Sequence, residues 1–179
     1  MENLADLRAA GELDAELCLV ISNKQDAFAL ERAERLGIPN LVLDPEREMS
    51  PEVFSEAVFS AAEEADCSLV VLAGFLRLLP IPTTWEGRVL NIHPSLLPAF
   101  GGKGYYGDRV HRAVLERGVR YTGCTVHYVD NIYDNGPIAV QRLIEVAPDD
   151  TVETLGARVF EEEKIALPDA IRAHFERSG

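Results

Sequence analysis

The chain has 179 residues, of which 47% are hydrophobic, 26% charged and 7% aromatic, and 30 Asp and Glu against 17 Lys and Arg leave a net charge of −13. That length suits one domain burying roughly 70% of the surface its unfolded chain exposes. The acidic balance argues against a broad nucleic-acid or anionic-membrane face, because both need clustered basic residues. No apolar run approaches the roughly 20 residues of a membrane span, and the opening Met1-Glu2-Asn3-Leu4-Ala5-Asp6 lacks a basic, apolar export segment. Cys18, Cys67 and Cys124, odd in number and scattered, match neither a disulfide framework nor a metal site. The expectation is a cytoplasmic domain of enzyme size without a metal.

Early in the chain, apolar runs alternate with helical stretches. Leu17-Cys18-Leu19-Val20-Ile21 reads as a strand buried on both faces. Lys24 to Leu36 reads as a helix with Ala27, Leu30, Ala33 and Leu36 on one stripe, stopped by Gly37. Asn40 to Leu43 is a brief strand, Ser50-Pro51 opens a second helix as N-cap and first-turn proline, and Ser68 to Ala73 is another buried strand. This β-α-β-α-β order predicts parallel strands with helices on both faces. Arg88 to Ile92 then reads as a strand running into His93-Pro94. A glycine-rich loop (Gly101, Gly102, Gly104, Gly107) leads to a helix over Asp108 to Arg117. Tyr121 to Val129 and Ile138 to Val146 flank the turn sequence Asp134-Asn135-Gly136 and predict an antiparallel hairpin. From Thr151 the chain is helical, with Asp150 as cap and a break or kink near Pro168. The fold class is α/β, a Rossmann-like mixed sheet in one domain over residues 1–179.

Chemistry concentrates at Asn91-Ile92-His93-Pro94-Ser95. Residues two apart on a strand share a side, so Asn91 and His93 project together from the carboxyl end of a strand, where open α/β sheets place ligands. An amide donor beside an imidazole suits a carbonyl that becomes tetrahedral: both can donate to the oxyanion, and the ring can move a proton. Local capping is the commoner role for such side chains taken alone, and Asp134-Asn135-Gly136 alone is an ordinary turn. Occurring together, they place a carboxylate against His93 that would raise the histidine pKa. Gly101-Gly102-Lys103-Gly104 lacks the spacing of a phosphate loop. His111 and His174, among charged neighbours, read as solvated. His127 can face either the site or the exterior. Glu161-Glu162-Glu163 reads as a solvated helix face with one member free to turn inward.

These residues resemble a known family. Asn91-Ile92-His93-Pro94-Ser95-Leu96-Leu97-Pro98, then Gly123-Cys124-Thr125-Val126-His127-Tyr128-Val129 and Asp134-Asn135-Gly136-Pro137-Ile138, resemble the folate-dependent formyltransferases. Ser22-Asn23-Lys24 with Leu30-Glu31-Arg32-Ala33, and Val71-Leu72-Ala73-Gly74-Phe75-Leu76-Arg77, match further upstream. The resemblance implies transfer of a formyl group from 10-formyltetrahydrofolate to the amine of glycinamide ribonucleotide in purine (IMP) synthesis. It implies Asn91 and protonated His93 as oxyanion donors, with Asp134 holding the ring charged. It implies Leu76, Arg77, Leu78, Leu79 and Asn91, with Asp130 and Tyr133 of the loop Asp130 to Asp134, as folate contacts. Asn3 and Glu163 are implied as ribonucleotide contacts. The implied partners are small molecules, with no nucleic acid or membrane, for a monomer or weak homodimer.

Two departures stand out. Family members open with a strand and a Gly-Ser-Asn-Leu or Gly-Thr-Asn-Leu loop whose N–H groups meet the phosphate; here Asn3-Leu4 match the loop's end and Met1-Glu2 stand before them. The expectation is a start placed too far downstream or a truncated chain, a sheet short of its first strand, and poor transfer. The Phe100 to Asp108 loop is also longer than in the shorter family members. The alternatives are a 10-formyltetrahydrofolate hydrolase, whose relatives carry an extra N-terminal domain, and a degenerate, non-catalytic folate-binding relative. A methionyl-tRNA formyltransferase would need a further C-terminal barrel and a basic surface.

Overall fold

The computed structural model describes residues 1–44 and 50–178. Helix α1 (Glu2–Ala9) is followed by β1 (Val20–Ser22), α2 (Phe28–Arg35), β2 (Asn40–Val42), α3 (Pro51–Glu64) and β3 (Val70–Leu72). After a 3-10 turn (Thr83–Trp85) come β4 (Val89–His93), α4 (Asp108–Arg117), β5 (Tyr121–Tyr128), β6 (Ile138–Glu145) and α5 (Val152–Ser178). The fold is mixed α/β, with parallel and antiparallel pairing. Among the described residues, six strands fall into a two-stranded and a four-stranded sheet, where the sequence reading expects one mixed sheet short of a strand. The chain divides into two compact units.

The first unit holds Met1–Val70 and Leu78–Thr84. β1 and β2 run parallel, Val20 opposite Asn40 and Ser22 opposite Val42, and α2 packs on both through buried Leu30 and Ala33. The strand read over Leu17 to Ile21 shortens to Val20–Ser22 and is half-buried, not enclosed. Among the described residues its ladder runs along one edge, to β2, and a strand paired on one side leaves every second backbone group to other partners. The helix expected from Lys24 begins at Phe28, because Ser22 Oγ accepts from the Lys24 N–H (3.1 Å) and donates to the Lys24 carbonyl (2.9 Å). Such local bonds hold a turn against helix formation. In α3, Ser50 caps as expected, accepting from the Val53 N–H at 3.3 Å, with Pro51 in the first turn. Phe54, Val58, Phe59 and Ala62 form its buried stripe.

The second unit holds Val71–Arg77 and the chain from Trp85 onward. Its strand order is β3-β4-β5-β6. β5 is antiparallel to both neighbours and buried from Thr122 to His127. α5 packs on β5 and β6, and α4 packs on α5. Val89, Leu90, Val110, Val114, Val126, Leu155 and Val159 fill the core, each aliphatic contributing about 1.5–3 kcal/mol by leaving water. Gly118, at φ 69°, ends α4 in the left-handed conformation that glycine adopts without strain. The cap of α5 is Thr151, not Asp150: Thr151 Oγ1 accepts from the Thr154 N–H (3.3 Å), while Asp150 accepts from the Ala147 N–H (2.8 Å) and pairs with Arg158. The expected break at Pro168 is absent and the helix runs through it. Burial of Leu167, Ala170 and Ile171 around the proline offsets a cost of about 3 kcal/mol for the lost hydrogen bond and ring clash.

Candidate active site

The alternation read in β4 holds. Asn91 lies directly opposite His127 on β5, and His93 opposite Thr125. Period-two side chains therefore bring all four to one face of the sheet. Asn91 Nδ2 is 3.0 Å from His127 Nε2, and His127 Nδ1 donates to the Tyr128 carbonyl at 3.0 Å. His93 Nε2 donates to the Phe100 carbonyl at 2.9 Å, which places that proton on Nε2 and turns Nδ1 to Asp134 Oδ2 at 3.6 Å. Asp134 Oδ1 lies 3.7 Å from His127 Nε2. Asn91, His93 and Asp134 thus gather in one cluster, with His127 between Asn91 and the carboxylate.

Asp134 reaches the cluster from the segment joining β5 to β6, at φ 52°, a conformation that costs a non-glycine residue energy and persists only where its surroundings impose it. Gly136 is one such constraint: a Cβ there would stand 1.9 Å from the Tyr128 carbonyl oxygen. Another is the glycine-rich loop, whose Gly102 N–H donates to Asp134 Oδ2 at 2.8 Å. A Cβ on Gly101 would stand 2.4 Å from Leu97 Cδ2 and 3.3 Å from Asp134 Cβ. The stretch that superficially suggests a phosphate loop therefore wraps the chain's own carboxylate. Beneath it, Thr125 Oγ1 donates to the Ser95 carbonyl (2.7 Å) and accepts from the Leu97 N–H (3.0 Å), fixing the turn after His93.

The electrostatics correct one expectation. Burial lowers the His93 pKa below its ordinary 6.5; Asp134 pulls it upward as anticipated, and the Phe100 carbonyl does so too, but they do not outweigh burial, and His127 adds to the lowering. A ring taken out of water resists a net charge. For Asp134, burial pushes upward, yet the His127 ring, the Gly102 N–H and His93 together carry its carboxyl below the usual range.

The remaining sequence candidates divide. Leu76 is exposed, Arg77 and Leu78 are half-buried and Leu79 is buried. Both carboxylate oxygens of Asp130 serve its own loop, accepting from the Ile132 N–H (2.9 Å) and Asn135 Nδ2 (2.8 Å), and Tyr133 is exposed. Asn3 lies in the first turn of α1, whose Glu2 pairs with Arg32 (3.3 Å) and Arg35. Glu163, on α5, is half-buried, and burial pushes its pKa to about 7. Among the described residues no interaction joins it to Asn91, His93 or Asp134.

Three histidines differ from or complete the sequence reading. His127 faces the site, which only the β4–β5 register decides. His111 is buried rather than solvated, its ring against Gly156 of α5 and Nδ1 without a hydrogen-bond partner. Its charged neighbours in sequence point elsewhere, because Val110, His111 and Val114 form the buried stripe of α4. His174 is buried too, with Nδ1 3.1 Å from the Tyr128 hydroxyl and its ring against Phe175. Among the described residues, no group of three or more His, Cys, Asp or Glu is placed to hold a metal ion, and no helix is long and apolar enough to cross a membrane.

The formyl transferase family profile matches residues 1–171. The chain is 48% identical over 160 residues to the trifunctional purine biosynthetic protein adenosine-3 of Gallus gallus, a match covering 88% of this chain and 16% of that protein. It is 39% identical over 166 residues to the chloroplastic phosphoribosylglycinamide formyltransferase of Vigna unguiculata, covering 91% of this chain and 53% of the relative. The chain thus spans about half or less of these relatives' lengths. The crystal structure of phosphoribosylglycinamide formyltransferase from Bacillus halodurans superposes with a TM-score of 0.88 at 34% identity, covering 99% of this chain and 90% of that one.

Proposed function

This chain belongs to the formyl transferase family, and we propose that it transfers a formyl group from 10-formyltetrahydrofolate to the primary amine of glycinamide ribonucleotide, a step of purine biosynthesis. The observation that carries the reading is the convergence of Asn91, His93 and Asp134 on one sheet face, held by Phe100, Gly102 and His127. This donor set suits a carbonyl carbon passing through a tetrahedral state, since it offers an amide N–H for the oxygen and a ring nitrogen beside a carboxylate for the proton.

The folate supplies an electrophilic formyl carbon. The amine nitrogen attacks it, forming the new C–N bond and moving the carbonyl pair onto oxygen, where the Asn91 amide N–H stabilises the charge. With Nε2 committed to the Phe100 carbonyl, His93 Nδ1 takes up the proton the amine must lose. Burial has lowered this ring's pKa, so the ring rests as a base, and Asp134 stabilises the imidazolium as it forms. Collapse of the oxyanion breaks the bond to the folate nitrogen, which receives the proton. The amine then leaves formylated and no amide anion is expelled.

The folate contacts proposed at Leu76 to Leu79, Asp130 and Tyr133, and the ribonucleotide contacts at Asn3 and Glu163, rest on the family pattern. The compartment proposed is the cytoplasm. The test follows folate deformylation spectroscopically with and without glycinamide ribonucleotide. Amine-dependent turnover that falls about 10²- to 10³-fold in Asn91→Ala supports transfer. Formate release at an unchanged rate without the amine makes the chain a hydrolase, and no turnover with retained folate binding makes it a binding protein.

A further inference from the structure

We propose that His127 is a positioning residue for Asn91: its Nε2 accepts one N–H of the Asn91 amide, fixing which end of that amide faces the substrate. The assignment rests on the formyl-transfer reading and names a group outside the Asn91–His93–Asp134 set. The logic is one of donors and acceptors. His127 Nδ1 lies 3.0 Å from the Tyr128 carbonyl, and a carbonyl only accepts, so Nδ1 carries the proton. In a neutral ring Nε2 then holds a lone pair. The amide nitrogen of Asn91, which only donates, lies 3.0 Å from that lone pair. The opposite amide orientation would set Oδ1 against it, two acceptors face to face. Asp134 Oδ1, whose carboxylate a proton on Nε2 would stabilise, is the competing neighbour, at 3.7 Å, beyond hydrogen-bond length.

The amide of Asn91 is thereby locked in plane and in direction. One N–H is spent on His127, and among the described residues the second has no protein partner, leaving it for the formyl oxygen. The backbone supports this. Residues 91 and 127 are directly opposed in the β4–β5 ladder, His127 is 1% exposed, and the β5–β6 register slips between Val126 and His127, an irregularity of the kind that re-aims a side chain.

The test is a double-mutant cycle on the full chain, with kcat and both KM values measured for wild type, Asn91→Ala, His127→Phe, His127→Gln and the Asn91→Ala/His127→Phe pair. The expected result is a loss of about tenfold to a hundredfold in kcat for His127→Phe with KM values within about twofold. His127→Gln, whose side-chain oxygen can accept the same N–H, recovers most of that loss. In the Asn91→Ala background His127→Phe costs less than about twofold. An equal fractional loss in both backgrounds, or a Gln variant as slow as Phe, overturns the proposal. Nitrogen-15 NMR of the labelled wild type decides the matter without turnover: the expected His127 signals are a protonated Nδ1 and an unprotonated Nε2, and a proton on Nε2 overturns the assignment. A wild type that transfers no formyl group while showing the expected tautomer sinks the functional reading and leaves the His127–Asn91 bond standing.

Discussion

Replacing Glu163 by Gln tests what the fold does to a half-buried carboxyl. Burial raises its pKa from 4.5 to about 7. Below pH 4.5 both folded and unfolded chains hold the proton, and the group costs nothing. Between the two values the unfolded chain has released the proton while the folded chain keeps it, so the unfolded state binds fewer protons and stability falls as pH rises. Above pH 7 both forms are charged and the penalty is complete. At 1.36 kcal/mol for each pKa step, a gap of about 2.5 between 4.5 and about 7 caps that penalty at about 3 kcal/mol. Gln has nearly the same shape and no proton to lose. Glu163→Gln is therefore expected to match wild type near pH 4 and to exceed it by up to about 3 kcal/mol above pH 8, about 8 °C in Tm for a chain of this length. Calorimetric melts of both proteins across that range check it, because the difference between them cancels every other titrating group. A Tm gap that is constant with pH, or a Gln variant less stable than wild type at pH 8, refutes the reasoning and makes the carboxylate solvated or paired.

Other outcomes follow from the site and its supports. Asp134→Asn keeps an oxygen for the Gly102 N–H but removes the charge facing His93; kcat should fall about 10²- to 10³-fold, and the His93 titration, followed by proton NMR, should move further below 6.5, since Asp134 is among the groups that raise it. An unchanged His93 midpoint contradicts the pairing. Gly136→Ala places a Cβ 1.9 Å from the Tyr128 carbonyl oxygen; the expected cost is about 2–4 kcal/mol by denaturant unfolding, and a variant as stable as wild type contradicts that close approach. Ser50→Ala should cost about 1 kcal/mol through loss of the α3 cap, with no change in kcat.

What the sequence disclosed was local. Asn91 and His93 share a side because alternation is a property of one strand, and α4 begins and ends at Asp108 and Arg117 as read, because apolar spacing and Gly118 mark it without help from elsewhere. The hairpin and the Ser50 cap are legible for the same reason. What stayed hidden depends on distant pairing. The facing of His127 is decided by its partner 36 positions earlier, and the use of the glycine-rich loop by a carboxylate 32 positions later. Charged neighbours in sequence conceal the burial of His111 and His174, since helix faces, not sequence neighbours, decide what meets the core. The sign of the His93 shift needed the depth of the ring, which no residue pattern states.

The grip of the 100–107 segment on the two reactive groups is made entirely by main-chain atoms, the Phe100 oxygen and the Gly102 nitrogen. Peptide atoms are common to all amino acids, so Lys103, Tyr105 and Tyr106 at the exposed tip are open to wide variation in chemical character without disturbing the chemistry below, whereas Gly104, at φ 99°, is held to glycine. The stretch from His93 to Gly102 has no such latitude: one residue added or removed there would slide both anchoring atoms off their partners together.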